Sequence, residues 1–137
     1  EQQKLIEQQN AELEKQMQQV ASQQLKTEEQ DARINRIETS VSEIMQSKRN
    51  FFADGLSQSR FQLLPCEGAY FQIVDYSMIS DRGDKDFANW LTVEHKVAGI
   101  PVSAFYENPN PNQRLLRFCF AKNNDTLQKS LDILCRL

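Results

Sequence analysis

The first 45 residues of this 137-residue chain contain no aromatic residue, no glycine and no proline. All eight Phe, all three Tyr and the single Trp occur at or after Phe51. A segment without large apolar rings cannot bury a sizeable core, whereas the lack of helix breakers favours one continuous helix. We therefore predict two regions, a helical arm over residues 1–45 and a globular domain over residues 46–137.

The chain also lacks a large excess of positive charge. Residues 1–45 carry nine acidic and five basic side chains, a net charge of −4, and residues 46–137 carry ten acidic and eleven basic ones, a net charge of +1. Neither region has the basic excess that binding to a phosphate backbone requires, so nucleic acid is not an expected partner. No apolar run approaches the roughly 20 residues of a membrane-spanning helix, and we expect no association with a membrane.

The chain has few cysteines and a single histidine. The number of cysteines is odd, and their spacing is not that of metal ligands: they are Cys66, Cys119 and Cys135. Reduced thiols and a cytoplasmic location are therefore expected. Cys66 and Cys119 are predicted to be small core residues, and His95 to be a solvated residue at a helix end. These residues predict no metal site and no nucleophile activated by histidine.

Residues 1–45 contain a heptad repeat. If the a positions are the five apolar residues and the one threonine that recur every seven residues, the d positions are glutamines in the first four heptads and isoleucines in the last two, so the seam is polar early and apolar late. This pattern predicts a long coiled-coil-like helix that forms a homo-oligomer; the alternative is a solvated, frayed helix without a partner. The a positions are Ile6, Leu13, Val20, Thr27, Ile34 and Val41, and the d positions are Gln9, Gln16, Gln23, Gln30, Ile37 and Ile44.

Residues 46–137 predict an α+β fold, a small sheet with helices packed on it. The expected order is helix, strand, strand, helix, strand, strand, helix. The first helix continues from the arm through Leu56, with Gly55 and Ser57 as stop signals. The second helix is capped at Asp84, and the third is capped at Asn124 or Asp125. In the last helix, Leu127, Leu131 and Leu134 recur at i, i+4 and i+7 and are expected to face the core.

Arg117 is the candidate binding residue. It lies within Leu115–Ala121, an otherwise apolar strand, and a guanidinium in that setting needs an anionic partner. The residues alone leave three alternatives open: a bound anionic ligand, a salt bridge to a neighbouring acid, or an edge strand whose arginine faces water. Arg114, at the start of the strand, is expected to be solvated.

Four ordered blocks in this region resemble the C-terminal small domain of class I and II pyridoxal-phosphate-dependent aminotransferases, nearest to the methionine and kynurenine aminotransferase group. The resemblance does not cover residues 1–45. The blocks are residues 64–71 (LPCEGAYF), 74–77 (VDYS), 94–106 (EHKVAGIPVSAFY) and 116–122 (LRFCFAK).

The resemblance implies an enzyme that transfers the amino group of a hydrophobic or sulfur-containing amino acid to a 2-oxo acid. It also implies that Arg117 binds the substrate carboxylate, with pyridoxal phosphate as cofactor. No lysine here follows a serine by three residues, as the family's Schiff-base motif requires, so the chain alone is expected to be inactive. Family members are dimers through surfaces largely on their other domain, so any dimer here would form through the arm. The alternative is a non-catalytic coiled-coil scaffold carrying a detached small domain.

Overall fold

The computed structural model describes residues 2–137. It contains three α-helices, a four-stranded sheet and one short 3₁₀ helix among those residues. The predicted α+β fold is confirmed, and so is the expected order of helices and strands. The elements are α1 (Gln2–Leu56), β1 (Gln62–Leu63), β2 (Phe71–Asp75), α2 (Asp84–His95), β3 (Ile100–Pro101), a 3₁₀ helix (Val102–Phe105), β4 (Leu115–Cys119) and α3 (Asn124–Leu134).

The chain divides into two compact units after Ser42, residues 1–42 and residues 43–137. The described part of the first unit, residues 2–42, belongs entirely to α1, and the large apolar side chains along it are exposed. The second unit begins with the last turns of α1 and contains the whole sheet, α2 and α3. No helix within residues 2–137 combines the length and the apolar character needed to cross a membrane.

The four strands form one antiparallel sheet in the order β1-β2-β4-β3. In the central pair, Ile73 of β2 lies opposite Arg117 of β4, and Ile100 of β3 lies opposite Arg117 from the other side. Because side chains alternate between the two faces of a strand, Arg117 lies on one face while its neighbours Leu116 and Phe118 lie on the other. Because β4 pairs with β2 on one side and with β3 on the other, it is an interior strand.

The hydrophobic core lies on the face of the sheet that carries Leu116 and Phe118, both nearly inaccessible to solvent. The last turn of α1 contributes Phe52 and Leu56 to this core, and the three leucines of α3 point into it as predicted. The α2 helix adds Phe87 and Leu91. A helix that presents apolar residues three and four apart can cover a sheet in this way with its polar side in water.

The helix α1 ends at Leu56, between the two predicted stop signals Gly55 and Ser57. A Cβ atom at Gly55 would lie 2.4 Å from Cδ1 of Leu131. The glycine therefore permits a close approach of α1 and α3. The predicted caps of α2 and α3 were misplaced. Gly83, and not Asp84, is the N-cap of α2. Asn123 caps α3 by accepting a hydrogen bond from the Thr126 N–H at 2.8 Å.

Tyr76 follows β2 and is completely buried. Its ring stacks on Phe87 with centroids 4.0 Å apart, and its hydroxyl donates a hydrogen bond to the Arg82 carbonyl at 2.9 Å. Burial, assisted by the nearby Asp84 carboxylate, raises the pKa of Tyr76 from 10.0 to about 12. The neutral phenol is thus the form that the folded state stabilises.

We expect the free energy of unfolding to fall as the pH rises from 10 to about 12. The unfolded chain releases the phenol proton first, so stability is full below pH 10 and is lost as the pH approaches the folded-state value, by at most about 3 kcal/mol. Urea unfolding at several pH values should show this decline, and Tyr76→Phe should lack this contribution. An equal decline in both proteins would contradict the assignment.

Candidate functional site

Arg117 projects from the face of the sheet opposite to the core. Direct cross-strand partners share a face, so Ile73 and Ile100 flank it on the neighbouring strands. Phe71 and Cys119 form the next pair on the same face. These side chains are half-buried or exposed, in contrast to the buried residues of the core face. This open face of the sheet, defined by Phe71, Ile73, Ile100, Arg117 and Cys119, is the setting of the candidate site.

The Arg117 guanidinium lies between two aromatic rings. Its central carbon is 4.2 Å from the ring centroid of Phe71 and 4.8 Å from that of Phe105. Arginine binds aromatic faces through cation–π attraction and planar stacking, which restrict its rotation while leaving the N–H groups at its edge available. The two phenylalanines thus hold the guanidinium in a defined orientation on the open face.

The structure bears on the edge-strand and salt-bridge alternatives for Arg117. β4 is an interior strand, which rules out the edge-strand alternative. Within residues 2–137, the Arg117 side chain forms no salt bridge and donates no hydrogen bond. The acid on the same face of β2, Asp75, accepts a hydrogen bond from the Ser77 N–H at 2.7 Å. The five N–H donors of its planar fork therefore have no protein partner among residues 2–137.

Phe105 reaches Arg117 because of a buried polar contact at the base of the 3₁₀ helix. Ser103 donates two hydrogen bonds to the Asp84 carboxylate, from its N–H at 2.8 Å and from its hydroxyl at 2.7 Å. Both residues are buried. A carboxylate paired with two donors resists displacement, because breaking the contact would leave it unsatisfied away from water. This contact fixes the segment that ends in Phe105 to the start of α2.

Sequence reasoning identified Arg117 and, from the family resemblance, expected residues 68–71 near the same cleft without assigning them a role. It missed Phe105, Asp84 and Ser103 as parts of the surroundings of Arg117. Alternation in β2 and β4 offered a signal for Phe71, since a phenylalanine two residues before Ile73 shares its face. The sequence carried no comparable signal for Asp84 and Ser103, which are 19 residues apart and meet only in the folded chain.

The structure corrects or refines the predictions for two cysteines and for the single histidine. Cys119 is exposed, not a core residue, because β4 places it on the open face with Arg117. Cys66 is half-buried and its thiol donates to the Phe71 carbonyl at 3.2 Å. His95 lies at the end of α2 as predicted, but it is half-buried and packs edge-on against Trp90 with ring centroids 4.4 Å apart.

The sequence model of aminotransferase class I and II matches residues 2–134. The chain belongs to the class I and II aminotransferase family. The match also spans the heptad segment, which the four sequence blocks do not reach. Over 90 residues, 66% of this chain, the sequence is 47% identical to a methionine aminotransferase of Escherichia coli. It is 32% identical over 110 residues to a kynurenine–oxoglutarate transaminase of Dictyostelium discoideum.

Solved structures of this aminotransferase family agree with the fold. A structure from Escherichia coli with a methionine aminotransferase function superposes with a TM-score of 0.66 and 44% identity, over 69% of this chain and 25% of that one. The N-succinyldiaminopimelate aminotransferase of Mycobacterium tuberculosis gives a TM-score of 0.65 with 28% identity, over 71% of this chain and 25% of that one. The chain spans about a quarter of the length of the curated relatives it matches: 23% of the Escherichia coli methionine aminotransferase and 25% of the Dictyostelium discoideum transaminase.

Family membership implies pyridoxal phosphate, which requires a lysine for the Schiff base, an acid for the ring nitrogen and a phosphate site. The lysines of residues 43–137 do not fit this requirement. Lys48 and Lys96 donate to backbone carbonyls, those of Lys122 and Val93 respectively. The other three are exposed, and the pocket that Gly83 lines next to Lys85 also contains Asp84 and Asp86, whose carboxylates would repel a phosphate. These residues do not form the cofactor site.

Proposed function

We propose that this chain supplies the small domain of an aminotransferase that moves the amino group of a hydrophobic or sulfur-containing amino acid to a 2-oxo acid. Its own contribution is recognition of the substrate carboxylate by Arg117. One observation carries this proposal: the guanidinium is held between Phe71 and Phe105 with its N–H donors free of protein partners in the described chain.

A carboxylate matches the geometry of these donors. Two parallel N–H groups of a guanidinium bind the two oxygens of one carboxylate, which fixes both its position and its plane. The rings of Phe71 and Phe105 next to the guanidinium make its surroundings less polar than bulk water, which strengthens such a pair. An amino acid and a 2-oxo acid both carry this carboxylate, so one arginine serves both substrates.

The remaining chemistry requires groups from outside this chain. Pyridoxal phosphate supplies the electron sink for transamination when it is bound, and a lysine on another part of the complete protein would hold it. The small domain acts by binding: a substrate fixed at its carboxylate presents its amino group in one orientation, which lowers the entropic part of the barrier. A cytoplasmic location agrees with three unpaired cysteines, of which Cys119 and Cys135 are exposed.

A chimeric enzyme tests the proposal. Residues 46–137 would replace the matching segment of the Escherichia coli methionine aminotransferase, to which the chain is 47% identical. We expect the chimera to transaminate methionine in the presence of a 2-oxo acid, whereas the isolated chain with added pyridoxal phosphate should show neither activity nor a stoichiometric aldimine. A folded chimera that binds the cofactor and lacks activity would contradict the proposal.

We propose a second, non-catalytic role for residues 1–45, the formation of a homo-oligomer through the heptad seam. The observation that favours it is the exposure of this seam: Ile34, Ile37 and Val41 are each at least half exposed, and so are the apolar residues in the earlier heptads. A row of exposed apolar side chains along one side of a helix is stabilised when a second helix covers it. The chain would then be an assembly module as well as a binding domain.

Light scattering on paired variants of the full chain tests this second role. We expect the unsubstituted chain to be oligomeric and Ile37→Asp to be monomeric, because a carboxylate at a d position would lose its water on association. Thr39→Asp is the matched control: it adds the same charge two residues away, at an f position outside the seam, and should leave the oligomer intact. A monomeric unsubstituted chain would rule the role out.

A further inference from the structure

Four charged residues flank the heptad seam in a regular arrangement. Lys26 and Arg33 occupy successive g positions, and Asp31 and Glu38 occupy the e positions that lie five residues further along. All four lie within α1 and their side chains are exposed. Residues at e and g border the seam, and their charges determine which way a partner helix runs.

The charges favour one direction. In a parallel, in-register coil each g residue meets the e residue of the following heptad on the next helix, so Lys26 would meet Asp31 and Arg33 would meet Glu38. In an antiparallel coil, g residues meet g residues and e residues meet e residues. Basic side chains would then face basic ones, and acidic side chains would face acidic ones, which is unfavourable.

The seam itself favours the same direction. In a parallel, in-register coil each d residue meets the d residue of the next helix, so Gln23 meets Gln23 and Ile37 meets Ile37. A glutamine amide can both donate to and accept from a second amide. An antiparallel coil mixes a and d layers and would place glutamines against apolar side chains, which leaves their amides without partners. Thr27, an a residue, already donates to the Gln23 carbonyl at 3.0 Å and can present its methyl group.

We propose that the partner of residues 1–45 is a further copy of this chain, aligned parallel and in register. The inference rests on the oligomer proposed above and adds its direction and alignment. Two features carry it: the complementary charges of Lys26 and Arg33 with Asp31 and Glu38, and the layers of like residues along the seam.

Cysteine cross-linking tests this alignment. In a background in which Cys66, Cys119 and Cys135 are serine, Gln9→Cys places a thiol at a d position near the start of α1. A disulfide requires Cα atoms within about 7 Å of each other. Parallel, in-register helices meet this condition at residue 9, whereas antiparallel helices overlapping along α1 would separate the two thiols by more than about 40 Å at ~1.5 Å per residue. Ala11→Cys, at an outward f position, is the matched control.

We expect mild oxidation to link Gln9→Cys chains covalently and to leave Ala11→Cys chains largely unlinked. A monomeric chain in light scattering would overturn both the oligomer and its direction. An oligomer in which Gln9→Cys does not cross-link would overturn the direction alone. Neither result would bear on the aminotransferase proposal, which concerns residues 46–137.

Charge exchange gives an independent test of the same alignment. Lys26→Glu with Arg33→Glu should lower the melting temperature of the oligomer, and adding Asp31→Lys with Glu38→Lys should restore it, because the g–e pairs are then complementary again. In an antiparallel coil the fourfold variant would still place like charges together and would gain nothing. Failure of the fourfold variant to recover would therefore overturn the parallel alignment.

Discussion

Arg117→Leu is expected to lower kcat/KM of the chimeric aminotransferase by about 30-fold or more. Leucine retains the apolar contacts with Phe71 and Phe105 but cannot bind a carboxylate, and the loss of a charge-assisted, two-point contact amounts to about 2 kcal/mol. The effect should be found for the amino acid and for the 2-oxo acid alike, since both present the same group. Steady-state kinetics with each substrate varied in turn measures it.

Two further arginine variants sharpen this prediction. Arg117→Lys keeps the charge and loses the planar fork, so its kcat/KM should fall between those of the unsubstituted chimera and Arg117→Leu. Arg114→Leu removes a nearby arginine whose guanidinium donates to the Pro111 carbonyl at 2.9 Å, and it should leave substrate binding unchanged. An unchanged Michaelis constant and turnover in Arg117→Leu would remove this residue from the site.

Phe87→Ala is expected to destabilise residues 43–137 by about 3–5 kcal/mol, enough to unfold a marginally stable domain. Phe87 is completely buried, stacks on Tyr76 at 4.0 Å and also contacts the rings of Phe61 and Trp90. Its removal leaves a cavity at the point where α2 meets the sheet. Urea unfolding followed by tryptophan fluorescence measures the loss, because Trp90 is the only tryptophan.

Phe105→Ala is the control for this second prediction. Its side chain is 60% exposed, so truncation should change the free energy of unfolding by no more than about 0.5 kcal/mol. It should nevertheless weaken carboxylate binding in the chimera, because one of the two rings that hold Arg117 is lost. A Phe87→Ala protein that is as stable as Phe105→Ala would show that the core does not depend on the Phe87 ring.

Much of the fold could be predicted from local patterns. The heptads and the absence of breakers predicted α1, and the spacing of Leu127, Leu131 and Leu134 predicted the buried side of α3. Element ends were predicted less well. Asn123 and Asn124 are both good capping residues, and the choice between them depends on which turn places the following leucines against the sheet.

In the candidate site, the difference between what the sequence predicted and what it did not is larger. Arg117 was recognised from the sequence because a permanent charge in an apolar strand is costly without a partner. Its contact with Phe71 was not, since the pairing of β2 with β4 joins residues 40 or more positions apart. The exposed position of Cys119 followed from the same pairing, which determined the face that packs on the helices.

The sequence by itself determined the division into a heptad arm and an aromatic-rich domain and the order of the helices and strands, and it singled out Arg117 as the candidate for carboxylate binding. These depend on composition and on periodicity, which act over neighbouring residues. The tertiary structure alone decided that Phe71 and Phe105 enclose Arg117, that Asp84 anchors Ser103, and that Gly55 admits Leu131. Each of these is a contact between distant segments, and its geometry exists only once the sheet has paired and the helices have packed on it.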